Sequence, residues 1–195
     1  MIRAKYSLPI TSPGAMLREE KRAGSQLGVE ADKLTSQGKL VPDEMVNELV
    51  AHWLERHRDA FVFDGYPRSR GQADALDQML SAHGVALDVV LSLEIDLPTI
   101  RDRVARRMTC SSCARIFSVG LHVPSADAKC PSCGGLLVKR KDDTSEALDA
   151  RMEEFAAKTE PLISRYRERG ILRSVDAGRH PEIVFDSISK ILEGE

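Results

Sequence analysis

Three short apolar runs, each stopped by an acidic residue and set between stretches of helical periodicity, limit the folds open to this chain more than any other feature. Ala60-Phe61-Val62-Phe63 ends at Asp64-Gly65, and Asp88 to Leu93 and Ile171 to Val175 repeat the pattern. A continuous apolar run of this length reads as a strand buried on both faces, as in a parallel sheet. Helical stretches lie between the runs, at Gly71 to His83, Pro98 to Arg107, Thr144 to Gly170 with Pro161 as a break, and Pro181 to Leu192. Strands alternating with helices predict an α/β fold, a parallel sheet with helices on both faces. Ligands in such sheets bind at the carboxyl ends of strands, which is where Asp64-Gly65-Tyr66-Pro67-Arg68 falls.

Ahead of the first run, Ser12-Pro13-Gly14 combines a capping hydroxyl with a proline at the first helical position, and Gly24 closes that helix. A second helix is predicted from Ser25 to Gln37 and a third from Pro42 to about His57. In the third, Met45, Val46, Leu49, Val50, Trp53 and Leu54 share one face at helical spacing and are expected in the core. With 195 residues and 42% hydrophobic side chains, the chain suffices for one packed domain with a small insertion. No apolar run approaches the roughly 18 residues that span a bilayer, and the first residues lack a signal peptide's apolar stretch, so the expected location is cytoplasmic and no membrane partner is expected.

The βα rhythm breaks at Met108 to Val138, which holds all four cysteines. Cys110-Ser-Ser-Cys113 and Cys130-Pro-Ser-Cys133 are two knuckles, each able to set two thiolates on one face of a tight turn. Together they supply the four ligands of a closed, structural tetrahedral zinc site. Iron suits the same ligands, and two disulfides would use the same cysteines, although a cytosolic chain disfavours those. The formal charge of −2 conceals a segregation. Residues 101 to 140 carry a local +6, from Arg101, Arg103, Arg106, Arg107, Arg115, Lys129, Lys139 and Arg140 against Asp102 and Asp127, leaving −8 elsewhere. A basic zinc ribbon also suits nucleic acid. Phe117 is the one aromatic residue in the insert, however, and the arginines flank it as if to close on a phosphate chain.

These residues resemble the nucleoside monophosphate kinases, and within them the adenylate kinases with a long, zinc-bearing lid. Asp64-Gly65-Tyr66-Pro67-Arg68 with Gln72 is similar to the family's DGFPR-x3-Q segment. Gly38-Lys39-Leu40-Val41 with Asp43-Glu44 is similar to GKLVxDE, and Arg140-Lys141-Asp142-Asp143 with Arg151 to the end of the lid. The resemblance runs from about Lys5 to Leu192. It implies phosphoryl transfer between ATP and AMP, a reaction whose nucleophile is already anionic, so that alignment and charge neutralisation carry the catalysis.

By resemblance, Arg18 and Arg68 hold the AMP phosphate, and Lys39, Leu40, Val41, Gly65, Tyr66 and Pro67 line the AMP pocket while Gln72 reads the adenine edge. Arg103, Arg106, Arg140 and Arg151 gather on the ATP phosphates, with Arg68, Arg106, Arg140 and Arg151 as the catalytic set. Ile116, Phe117 and His180 flank the ATP base, and Asp64 meets Mg²⁺ through its water shell. The implied organisation is a core of residues 1–107 and 142–195, with a helical AMP-binding insert at 12–41, and a lid of 108–141 that zinc stiffens. His52, His57, His83 and His122 read as surface or filling residues.

Two departures bear on activity. The family opens with a strand, a glycine-rich loop ending in Gly-Lys and a helix, the loop cradling the ATP phosphates. Here Ala4-Lys5-Tyr6 matches the end of that helix, so roughly 20 residues of strand, loop and helix have no counterpart. The family's STGD becomes Ser12-Pro13-Gly14-Ala15, which removes a threonine facing the AMP base. The missing strand is a central one, and the expectation is two unpaired edges. Three readings follow. The coding sequence starts upstream of Met1 and the complete enzyme is an active monomer. Alternatively these residues stand alone, pair their open edge with a second copy and retain AMP binding only. In the third reading the ribbon serves nucleic acid.

Overall fold

A computed structural model describes residues 1–36, 41–57, 59–140 and 143–194. The chain forms two compact units, residues 1–92 with 155–173 and 185–195, and residues 93–154 with 174–184.

In the first unit, α1 (Ile2–Tyr6) ends at Ser7, whose φ of 55° turns the chain out of the helix, and leads to β1 (Ile10–Thr11). Helix α2 (Pro13–Ala23) starts where the sequence signals it, with the Ser12 side chain accepting from the Ala15 amide and Pro13 in the first turn, and stops at left-handed Gly24. Helices α3 (Gln26–Ser36) and α4 (Asp43–Leu54) follow, then β2 (Val62–Phe63) and α5 (Arg70–Ala82), which Ser69 caps by accepting from the Gln72 amide.

The core of this unit is built from α2, α4 and α5. Met16, Val46, Leu49, Val50, Leu54, Leu76, Leu80 and Tyr66 form one buried cluster. Each fully buried leucine there stabilises the fold by about 1.5–3 kcal/mol. Trp53 packs against this cluster as expected, whereas Met45 remains only half-buried because Val46 and Leu49 occupy the inner face of α4.

The parallel strands fall into two separate pairs, and β2 is half the length of its apolar run. β1 and β2 run parallel, with Ile10 opposite Val62 and Thr11 opposite Phe63. The second pair is β3 (Val90–Glu94) with β7 (Leu172–Asp176). The Val90 amide donates to Ile171 and the Ala177 amide to Glu94, a spacing that runs in the parallel sense. Expected as buried strands, β3 is half-buried at its start and exposed at its end, with Leu93 54% exposed, and β7 is mostly exposed around a buried Val175. A strand extends only as far as its ladder partner. With one partner each among the described residues, Ala60 and Phe61 fall outside the ladder.

The expected break at Pro161 lies earlier. After α7 (Ser145–Glu154) the chain makes a π turn at Phe155–Thr159, and α8 (Glu160–Glu168) restarts with Pro161 in its first turn, the position that tolerates a missing amide hydrogen. Helix α9 (Pro181–Glu193) closes the chain.

In the second unit, Asp96 caps α6 (Leu97–Arg106) by accepting from the Thr99 amide, a bond that also holds its carboxyl below the usual carboxylate range. The cysteine segment is an antiparallel sheet in the order β5-β4-β6, with β4 at Arg107–Cys110, β5 at Ile116–Ser118 and β6 at Leu137–Val138. Its small core is Met108, Cys110, Val123, Cys130 and Leu137. Among the described residues no helix is long and apolar enough to cross a membrane.

Candidate active site and metal centre

In the first unit the chain turns sharply as it leaves β2. Gly65 has a φ of +72°, a backbone conformation that favours glycine, and a Cβ there would lie 2.5 Å from Arg68 Nη2 and oblige that guanidinium to shift. Arg68 Nε donates to the Gly65 carbonyl at 2.7 Å, and the Arg68 carbonyl accepts from Thr159 Oγ1 at 2.8 Å. The Arg68 side chain is thereby folded over the strand end with its remaining donors exposed. Tyr66 is buried, its peptide bond to Pro67 is cis, and its hydroxyl donates to Asn47 Oδ1 at 2.7 Å. Burial, and after it the Asp43 charge, push this phenol well above its ordinary pKa, so it remains a donor.

Gln72 is 6% exposed and both ends of its amide are engaged. Nε2 donates to Asp43 Oδ1 at 2.6 Å, and Oε1 accepts from the Arg68 amide at 2.8 Å. Asp43 Oδ2 accepts from Ser69 Oγ at 2.5 Å. Asp64 sits exposed at the end of β2, its amide bonded to the Thr11 carbonyl at 2.8 Å. Val41 packs against the core, and Arg18 lines a cavity of about 400 Å³ with Thr11, Met16 and Trp53. Lys39 and Leu40 lie outside the described residues. Thus Gly65, Tyr66, Pro67, Arg68 and Gln72 come together in one turn. Asp43, Asn47 and Thr159, which the motifs did not single out as site residues, hold that turn in place.

In the second unit the sequence-predicted arginines take different partners. Arg103 Nη2 donates to the carbonyls of Gly178 and Arg179 at 3.2 and 3.1 Å. Arg106 pairs with Asp102 at 2.9 Å, both side chains being more than half exposed. Arg107 makes a two-pronged contact to Asp143, whose side chain is fully enclosed, which marks that pair as structural. Arg140 and Arg151 are exposed. His180 is exposed ahead of α9, its Nδ1 3.9 Å from Glu182. Ile116 is 57% exposed, whereas Phe117 is half-buried and packs onto the ribbon core.

The four cysteine sulfurs lie within 4.8 Å of one another. Cys110 and Cys133 are 3.5 Å apart and Cys113 and Cys130 3.7 Å. A tetrahedral zinc with bonds of ~2.3 Å has sulfur edges of ~3.8 Å, whereas a disulfide needs ~2.05 Å. The donor set therefore fits a tetrahedral metal ion and excludes the disulfide alternative. Gly135 is demanded by the same closeness, because a Cβ there would lie 2.9 Å from Cys110 Sγ and 2.6 Å from Ser112 Oγ. The Cys113 amide is the main influence lowering the Cys110 thiol to about 6. Cys133 moves the other way, to about 12, since the Gly135 amide that draws it down is outweighed by the sulfurs of Cys110 and Cys113.

Exposed arginines thus lie at the end of a parallel strand in one unit and beside a four-thiol ribbon in the other, and the comparisons with known proteins place the chain among the nucleoside monophosphate kinases. A family model described as adenylate kinase matches residues 1–171. The adenylate kinase of Thermodesulfovibrio yellowstonii is 39% identical over 191 residues, covering 97% of this chain and 89% of the relative. That of Archaeoglobus fulgidus is 38% identical over 191 residues, 97% and 88% of the two chains, and that of Syntrophomonas wolfei is 34% identical over 195 residues, 99% and 91%. The chain belongs to the adenylate kinase family.

Proposed function

We propose that the protein is organised for reversible phosphoryl transfer between ATP and AMP, giving two ADP, in the cytoplasm, with the turnover of these 195 residues impaired by their lack of a phosphate-cradling loop. A phosphate oxygen of AMP attacks the γ-phosphorus of ATP in line. The bond to the β–γ bridging oxygen breaks, and ADP departs with that oxygen's charge. Arg18 and Arg68 hold the AMP phosphate. Val41, Gly65, Tyr66 and Pro67, with Lys39 and Leu40, line its pocket, and Gln72 meets the adenine edge. Arg103, Arg106, Arg140 and Arg151 neutralise the transferring group, with Ile116, Phe117 and His180 near the ATP base. Arg106 is held only by an exposed ion pair worth about 0–1 kcal/mol, so phosphate displaces Asp102 at little cost. Mg²⁺ would supply charge neutralisation to the phosphates, and Asp64 would hold it through water. Zinc is structural, in a lid of residues 108–141 that closes over ATP and excludes water.

The observation that carries this reading is the Arg68 turn, fixed at both its backbone ends, with the guanidinium tethered through Nε and exposed at its remaining donors. Titration with AMP tests it. Replacing Arg68 by Ala should weaken AMP roughly tenfold or more, the worth of a charged hydrogen bond. Equal affinity of the variant and the parent protein would refute the assignment. The sequence contains no Gly-x4-Gly-Lys segment, so the 195 residues by themselves should form little ADP. Turnover near the ~10 s⁻¹ typical of enzymes would contradict that.

A further inference from the structure

We infer that Asp43 is a positioning residue that sets which purine the site accepts, by locking the amide of Gln72 in one of its two orientations. The inference rests on the proposed contact of Gln72 with the base. A carboxamide has a donor end and an acceptor end of nearly the same shape, and only its partners decide which way it faces. Here both partners are single-minded. The Asp43 carboxylate, 2.6 Å from Nε2, accepts and does not donate, and the Arg68 backbone amide, 2.8 Å from Oε1, donates and cannot accept. Reversing Gln72 would set its carbonyl oxygen against a carboxylate and its NH2 against an N–H.

Asp43 is itself held. Its other oxygen accepts from Ser69 Oγ at 2.5 Å, and Ser69 Oγ accepts in turn from the Gln72 amide at 3.1 Å, so the first turn of α4 and the start of α5 form one closed circuit. With these bonds made, Gln72 retains one N–H and one acceptor lone pair. That pair complements adenine, whose N1 accepts and whose 6-amino group donates. Hypoxanthine carries N1–H and a 6-oxo group, the reverse order, and would need the amide turned over. A site bearing committed polar groups rejects such a partner because they are left unpaired.

Titration calorimetry on the full chain with AMP, IMP and ribose 5-phosphate tests this, comparing the parent protein with Asp43→Asn. An amide at position 43 keeps the size of the side chain and presents either a donor or an acceptor to Gln72, which removes one of the two locks. The expected result is a preference for AMP over IMP in the parent that falls roughly tenfold in the variant, with ribose 5-phosphate binding unchanged. An unchanged AMP-to-IMP ratio overturns the inference. So does a parallel loss of ribose 5-phosphate binding, which would make Asp43 a support of the whole pocket. A parent protein that does not bind AMP overturns the reading of the site itself, and the inference with it.

Discussion

The Tyr66 hydroxyl ties together two helices that a phenylalanine ring would merely pack between. It donates to Asn47 of α4 at 2.7 Å and lies 3.3 Å from the Gln72 carbonyl of α5. Because burial keeps the phenol protonated, the bond persists across the physiological range. Tyr66→Phe should therefore lower the unfolding free energy by about 1 kcal/mol, the usual net worth of a neutral hydrogen bond. Urea unfolding should show a lower midpoint at an unchanged slope, and an unshifted midpoint would show that the bond makes no net contribution. The turn carrying Tyr66 was legible in the sequence because Gly65, Arg68 and Gln72 lie within a few residues and each has a local reason for its identity. The Asp43–Gln72 bond was not, since its partners are 29 positions apart and neither residue type announces the other.

Helices in this chain are marked by their ends, and strands are not. Ser12, Ser69 and Asp96 each cap the helix that follows by a bond reaching three residues ahead, a pattern visible in one dimension. Ladder length depends on a partner remote in sequence, which is why the four-residue run Ala60 to Phe63 shortened to the two residues of β2. Charge pairing between helices is likewise hidden until the fold is known. Arg165 of α8 reaches Asp74 at 2.5 Å and Asp77 at 2.8 Å of α5, and Arg169 reaches Asp77 at 2.9 Å. Burial pushes the Asp77 carboxyl upward, but the two guanidiniums outweigh it and hold the group below its ordinary value. A depressed carboxylate stabilises the fold above its unfolded pKa of ~3.9, and that contribution disappears as the pH falls through the still lower folded value. Asp77→Asn should thus be less stable than the parent at pH 7 by about 1 kcal/mol, with the gap closing below about pH 4. Denaturant unfolding at pH 7 and pH 3 checks the sign. A gap that widens on acidification would mean that Asp77 is not the carboxylate these arginines stabilise.

At the scale of the whole molecule, each unit has an apolar cluster of its own. The α2–α4–α5 cluster contains Val50, Leu54, Leu76 and Leu80, all fully enclosed, and needs no metal. The ribbon cluster has five members, and two of them, Cys110 and Cys130, belong to the four-thiol donor set. So small a core does not order a three-stranded sheet unaided, and metal binding is then a large part of the ribbon's folding free energy. The composition pointed to one comfortable domain. What it could not convey is the contrast between the two clusters, one purely hydrophobic and the other small and built in part from thiols that fit a metal. Withdrawing the metal with a chelator should consequently act on part of the molecule. Amides bonded across the ribbon, such as Cys110 to Arg115, Ser111 to Leu136 and Cys130 to Gly135, should exchange with solvent rapidly once the metal is gone. Amides within α4 and α5 should keep their protection, because nothing in their cluster depends on sulfur. Hydrogen exchange followed by mass spectrometry, with and without chelator, resolves the two sets. Equal loss of protection in α4 and α5 would show that the units unfold as one. An unaltered ribbon after verified metal removal would show that its strands hold without coordination, and the metal would then have to act in some way other than by stabilising the ribbon.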